Sequence, residues 1–266
     1  MVVPLPLVPY VRSIVAYDLD MGAPGRHRGV PGTAPVLELA PTEPLDVRWE
    51  GAPASRHRAP SCVSGLHTSP ADIRHGGRLR GVSVRLTLLG TRALLGVPAG
   101  ELAGQLVDLD AVAPGLAHLP DALADGGRPA APTVAGGLLV VLARRGDVDP
   151  APALRDVFGG LARGSHVDRV ARRTGWSRRH LQDLVRRECG LAPRDFRRLA
   201  RLARSRDLLL RRGRAGRVVL ADVATASGYA DHAHLTRDWT SLAGCTPTTW
   251  LREELPFVQD AVVAGE

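Results

Sequence analysis

The chain has no lysine. All 35 basic residues among its 266 are arginine. Aromatic residues are scarce too, at 4%, so any core must be built mostly of Val, Leu and Ala. Cysteine occurs three times, as Cys62, Cys189 and Cys245, an odd number whose spacing fits neither a disulfide framework nor a zinc site. Each is expected to act as a small buried hydrophobe. No run approaches the ~20 apolar residues that a membrane helix needs, and the best one, Gly136 to Ala143, falls far short. The first residues are apolar but carry Pro4, Pro6 and Pro9 and no basic segment, so they do not read as a signal peptide. A cytoplasmic protein with no membrane partner is expected. The chain also lacks Gly-x-Ser-x-Gly, His-Glu-x2-His and any phosphate-cradling glycine loop. No catalytic residue, metal ligand or cofactor is therefore expected.

What is present is charge, unevenly placed. Residues 1–150 hold 14 arginines and 14 acidic residues, so the whole formal +8 lies in residues 151–266. Between Gly164 and Arg217 there are 17 arginines and 5 acids. Such an excess marks a nucleic-acid surface, an anionic membrane surface or a solvated helix face.

Hydropathy patterning divides the chain in the same place. Val36–Leu39, Leu45–Trp49 and Val82–Leu88 alternate with period two, the pattern of half-buried strands, and turn pairs such as Pro31-Gly32 and Gly76-Gly77 lie between them. Residues 1–110 are thus expected to form a β-rich barrel or sandwich, with a helical piece around Leu102 to Leu106. Residues 111–150 read as a helical connector, with helices over Ala111–Ala124 and Val134–Arg145 and joints at Asp125–Pro129 and Asp147–Pro150. Residues 151–256 turn to helical periodicity, and 257–266 form a tail. The expected fold class is α+β in two domains, the second all-α.

The helical half repeats itself. Val170-Ala171-x3-Gly175-Trp176 recurs as Val223-Ala224-x3-Gly228-Tyr229, and Leu181, Gly190 and Pro193 recur as Leu235, Gly244 and Pro247. Each copy predicts a short helix, a turn at a glycine with unusual φ, and a second helix with an apolar stripe and a polar face. The polar faces carry Arg178, Arg179, Gln182, Asp183 and Arg186 in the first copy and His232, His234, Thr236 and Arg237 in the second. An N-capped helix presenting Arg, Gln and His is what major-groove reading requires. The units are expected at about 167–190 and 220–244, joined by a long helix from Pro193.

These residues resemble the AraC/XylS family of transcription regulators over roughly Leu161 to Glu254. Leu220–Ala224, Gly228–Asp231, Leu235–Arg237, Gly244–Pro247 and Trp250 carry the likeness most fully. The resemblance implies a tandem helix-turn-helix domain on a linker helix, with both second helices in adjacent major grooves. It places Arg179, Gln182, Asp183, His232, Ala233, His234, Thr236 and Arg237 at base-reading positions. Arg172, Arg178 and Arg186 are expected to meet phosphates, which position without specifying. Asp183 departs from the family, where a basic residue is common. Gly65–Thr68 and Leu94–Leu102 resemble the small β-barrel sensor of one branch of these regulators. The implied partners are double-stranded DNA, RNA polymerase, a second copy of the chain and a small-molecule effector.

Two other classes stay open on the residues alone. A metal-dependent β-barrel enzyme would use His57, His67 and His75, whose spacing is poor for a metal. A non-specific nucleic-acid binder would stack bases on exposed aromatics, whereas Trp176, Tyr229, Trp239 and Trp250 fall at core positions of the repeat.

Overall fold

The computed structural model describes residues 1–127, 129–145 and 152–254. Its first part contains β1 (Val11–Asp20), β2 (Gly25–Gly29), β3 (Val36–Leu39), β4 (Leu45–Trp49), β5 (His57–Ala59), β6 (Ser61–Ser64), β7 (Ala71–His75), β8 (Arg78–Leu86) and β9 (Leu106–Val107). They form two antiparallel sheets, ordered β1-β8-β3-β6-β9 and β2-β7-β4-β5. The sheets are separate and each keeps its edges, so the expected barrel is not closed and the arrangement is a sandwich. The alternation in β3 shows why. Leu37 and Leu39 point to one core, while Val36 and Glu38 face the four-stranded sheet across a cavity.

Several expected boundaries moved. The strand read as Val82–Leu88 starts earlier and stops at Leu86, because the Thr87 hydroxyl accepts from the Gly90 N–H and caps α1 (Leu88–Gly90). A π-type turn, Thr91–Leu95, follows directly. The helical piece expected at Leu102–Leu106 is a 3-10 turn over Ala99–Leu102. Leu106 and Val107 instead pair with Ser64 and Val63. Pro114 cuts the helix expected over Ala111–Ala124 into α2 (Leu109–Val112) and α3 (Leu119–Ala124).

The expected connector is not free-standing. In α4 (Ala130–Arg145), Val134, Ala135, Leu138 and Val141 are buried against β1 and β8, joined by Leu116, Leu119 and Leu123 from the preceding turns. These helices cover the part of the five-stranded sheet's outer face that Ile14, Leu37, Val63, Val82 and Val84 make apolar and that would otherwise meet water. The joint at Asp147–Pro150 and the tail 257–266 lie outside the described residues.

The second part is helical: α5 (Pro152–Ala162), α6 (Val167–Thr174), α7 (Arg178–Cys189), α8 (Pro193–Arg214), α9 (Leu220–Ser227), α10 (His232–Ala243) and a last helix from Pro247. Pro193 sits in the first turn of α8, where its missing N–H is no loss. The 22 residues of α8 span about 33 Å. One end of α8 puts Phe196 into a core with α5, α6 and α7. The rest puts Leu199, Leu202 and Leu209 into a second core with α9 and α10.

Leu138→Ala tests the place of α4. A fully buried leucine in a sheet-covering helix should cost about 2–5 kcal/mol on truncation. Denaturant unfolding should show that loss, and a change within about 0.5 kcal/mol would fit a solvated connector instead.

Candidate nucleic-acid interface

The two repeats are built alike. In each, a glycine with positive φ ends the first helix, Gly175 at +72° and Gly228 at +83°, and another ends the second helix, Gly190 at +74° and Gly244 at +68°. Both second helices carry side-chain caps. The Ser177 hydroxyl accepts from the His180 N–H at 3.1 Å, and the Asp231 carboxylate accepts from the His234 N–H at 2.6 Å. That N–H holds the Asp231 carboxyl below the usual carboxylate range. Leu181, Leu184 and Val185 bury one side of α7, and Leu235, Trp239 and Leu242 bury the same side of α10.

The opposite sides are open. Arg178, Arg179, Asp183 and Arg186 are exposed on α7, and Gln182 is half-buried. The Arg179 side chain is 93% exposed and lies 4.0 Å from Asp183, one turn on. Asp183 therefore has a cation of its own helix to face, which accounts for an acid on a basic surface. Arg178 reaches Asp168 of α6 at 3.6 Å. On α10, His232 and Arg237 are exposed, while Ala233, His234 and Thr236 are half-buried. Arg172, Arg186 and Arg237 form no ion pair among the described residues.

One residue of this surface escaped the sequence reading. His180 stands in the first repeat where His234 stands in the second. Each sits edge-on to the aromatic behind its glycine: His180 to Trp176 with ring centroids 5.0 Å apart, His234 to Tyr229 at 5.2 Å. Aligning the repeats residue by residue would have found it. The pairing also shows that His234 has a packing role beside any reading role.

The rigid relation between the units is made by charge and packing together. Asp238 of α10 is buried and accepts from Arg198 at 2.9 Å and Arg201 at 3.2 Å, both on α8. Next to it the Trp239 indole N–H donates to the Ser205 hydroxyl at 2.9 Å, also buried. Arg201 stacks 5.2 Å over Tyr229, Arg204 donates to the Ser227 carbonyl at 2.8 Å, and Arg197 donates to the Gly164 carbonyl at 3.1 Å. Much of the arginine on α8 is thus turned inward as structural donors.

Between the two sheets lies a cavity of about 380 Å³, closed on one side by Arg206 and Leu210 of α8, Trp250 and Glu254. Its apolar wall includes Leu45, Val47, Trp49, Ile73 and Leu106. Glu38 faces it, accepting from Ser83 at 2.6 Å and Tyr17 at 3.3 Å, and burial pushes its carboxyl up to about 7. Arg85 faces it too, and the like charge of Arg206, followed by burial, brings its guanidinium down to about 10. The buried Trp250 indole N–H has no acceptor among the described residues.

The three histidines weighed as metal ligands have separate tasks. The His67 ring lies 3.9 Å from Trp49 and its Nδ1 meets the Ser69 carbonyl, with burial taking its pKa down to about 4. His75 accepts from the Gly77 N–H at 3.3 Å, and His57 lies 3.2 Å from the Ser61 carbonyl. Among the described residues no group of three or more His, Cys, Asp or Glu is placed to hold a metal, and no helix is long and apolar enough to cross a membrane.

A β-sandwich joined to two helix-turn-helix units on a shared rod defines a two-domain architecture. Residues 170–253 match the family described as a helix-turn-helix domain. Among solved structures, ToxT from Vibrio cholerae is similar with a TM-score of 0.57 at 9% identity, covering 91% of this chain and 99% of that one. ToxT bound to an unsaturated fatty acid gives 0.53 at 11%, with 91% and 95% covered. ToxT bound to (E)-4-(8-methylnaphthalen-1-yl)but-3-enoic acid gives 0.55 at 10%, with 91% and 99% covered. At such identities the likeness concerns the fold. No curated protein matches the chain.

Two predictions follow from the two sites. Replacing Asp238 with Ala leaves Arg198 and Arg201 partly buried without their carboxylate and should cost about 3 kcal/mol of stability, read by denaturant unfolding. Glu38 gives a pH signature. Its folded carboxyl keeps a proton that the unfolded chain releases between about 4.5 and 7, so its contribution declines as pH rises through that window. His27 and His67, both lowered to about 4, act oppositely, losing stability as pH falls below 6.5. From pH 5 to pH 8 the melting temperature of Glu38→Gln should therefore rise more, or fall less, than that of the unsubstituted protein. Identical changes in the two proteins would place Glu38 in water.

Proposed function

We propose that this protein is a sequence-specific transcription regulator that reads DNA with α7 and α10 and takes a small molecule in the sandwich cavity. The observation that carries the first part is the equivalence of the two helices. Both are capped, both are buried on the matching side, and both offer an open polar face from the same rod. Arg179, Gln182, Asp183, His232, Ala233, His234, Thr236 and Arg237 are the proposed base-reading residues, joined by His180. A glutamine suits adenine, an arginine suits guanine, and the Ala233 methyl suits the thymine methyl. Arg172, Arg178 and Arg186 are proposed to meet phosphates. Sensing belongs to residues up to 145 and DNA binding to residues from 152. RNA polymerase and a second protomer are proposed as partners during transcription initiation.

For the effector, an apolar molecule with one carboxylate fits best. The apolar cavity wall suits a hydrocarbon body, and Arg85 and Arg206 repel one another across space that an anion would relieve. Two structures of similar fold hold ligands of that kind, ToxT with an unsaturated fatty acid and ToxT with a naphthyl-butenoic acid.

Selection of bound fragments from random duplex DNA tests the reading, and should return a motif with two half-sites about one helical turn apart. On that motif Arg179→Ala and His232→Ala should each cost about 1–3 kcal/mol and relax preference at one or two positions, while Arg172→Ala should weaken binding evenly on all sequences. Equal losses on every DNA for all three would displace the reading face. Palmitoleate should raise the melting temperature of the protein but not of Arg85→Ala, and no shift with either would remove the acid from the proposal.

A further inference from the structure

Beside the cavity wall that Arg206, Leu210, Trp250 and Glu254 supply, two contacts of the sensor domain with the helical domain are equivalent by the internal repeat. Each is the C-terminal end of a reading helix. On α7, Arg92 of the π-type turn makes a two-pronged contact with Glu188 at 3.0 and 3.1 Å, and Glu188 is only 5% exposed. Gly100 lies so near that an added Cβ would stand 2.2 Å from the Arg187 carbonyl oxygen, and one on Gly190 would meet Ala103. Leu66 and Ala99 of the sensor are buried in the core of the first unit.

On α10, Arg28 of β2 donates to the carbonyl of Ala243, the last residue of the helix, at 3.3 Å. It also reaches Glu50 at 3.5 Å and Glu253 at 3.6 Å. A Cβ on Gly244 would lie 2.7 Å from Glu50 and 3.2 Å from Pro70. A cation at a helix C-terminus is placed favourably against its dipole. The stretches Gly65–Thr68 and Leu94–Leu102, singled out in the sequence without a task, are the docking elements of the first contact.

We infer that Arg92 and Arg28 are positioning residues for DNA reading, through which the sensor domain grips both reading helices by the same end and fixes the distance and tilt between them. The inference rests on the reading of α7 and α10 as DNA-contacting helices. The rod α8 ties the units together through their cores, and the sensor braces them from the far side. Arg28 also lines the sandwich cavity, so the brace on α10 and the effector site share a wall.

The test uses the full chain and a duplex selected by the unsubstituted protein, together with copies of that duplex carrying one or two extra base pairs between the half-sites. The unsubstituted protein should discriminate against the insertions by about a hundredfold. Arg28→Ala and Arg92→Ala, the second leaving Glu188 paired with Arg187 at 3.2 Å, should each bind the parent duplex about tenfold more weakly. Both should discriminate against the insertions by less than about tenfold, with binding to an unrelated duplex unchanged within about twofold. Amide exchange in the last turns of α7 and α10 should accelerate in the DNA-free variants. Retained discrimination, or equal loss on every duplex, overturns the positioning role, and unchanged exchange overturns the brace itself. If the unsubstituted protein enriches no motif, the DNA reading falls and the positioning role with it, whereas the exchange result still reports on the brace.

Discussion

The buried contact between Asp238 and the pair Arg198 and Arg201 is the constraint on which the reading head depends. A carboxylate inside a helical core is costly unless its charge is met and its lone pairs are filled. Here two guanidinium groups from one rigid helix meet it, and Trp239 is held beside it by Ser205. The result is that α10 has one orientation on α8 rather than a choice of apolar packings. The first unit reaches the same rod through Phe196, packed edge-on to Phe158 at 5.1 Å. Two helices proposed to meet neighbouring grooves would need such a fixed relation, since groove spacing is set by the DNA.

The arginines follow from this division of labour. Those on α8 that turn inward donate to carboxylates and carbonyls, where the planar fork of arginine makes two or three bonds that an ammonium would not. Those on α6 and α7 stay in water, where they keep a positive face for a polyanion. The net charge of the segment therefore overstates what is exposed to solvent, although Arg172, Arg178, Arg179, Arg186 and Arg237 are among the arginines that stay exposed.

In the sensor domain the same logic is carried by a strand. β3 alternates between a leucine face and a face carrying Val36 and Glu38, and the second face closes a cavity instead of a core. A polar group buried beside such a space needs hydrogen-bond partners, and Ser83 and Tyr17 supply them to Glu38. Because α8 and Trp250 supply part of the wall, the cavity belongs to both domains.

The repeat at 53 and 54 residues and the apolar stripes of α7 and α10 were legible in the amino acids, because helix periodicity is local physics. Strands β3 and β4 were legible to the residue for the same reason. The polar face was legible as a face, yet His180 was passed over, and Asp183 was set apart without the Arg179 that lies beside it. Closure of the sheets, the packing of α4 on β1 and β8, the inward turn of the α8 arginines and the grip of Arg92 and Arg28 on the helix ends were decided only by tertiary structure. Each depends on partners distant in the chain, such as Arg204 with Ser227, 23 positions apart, or Arg28 with Ala243, 215 apart, and no local pattern encodes such a meeting.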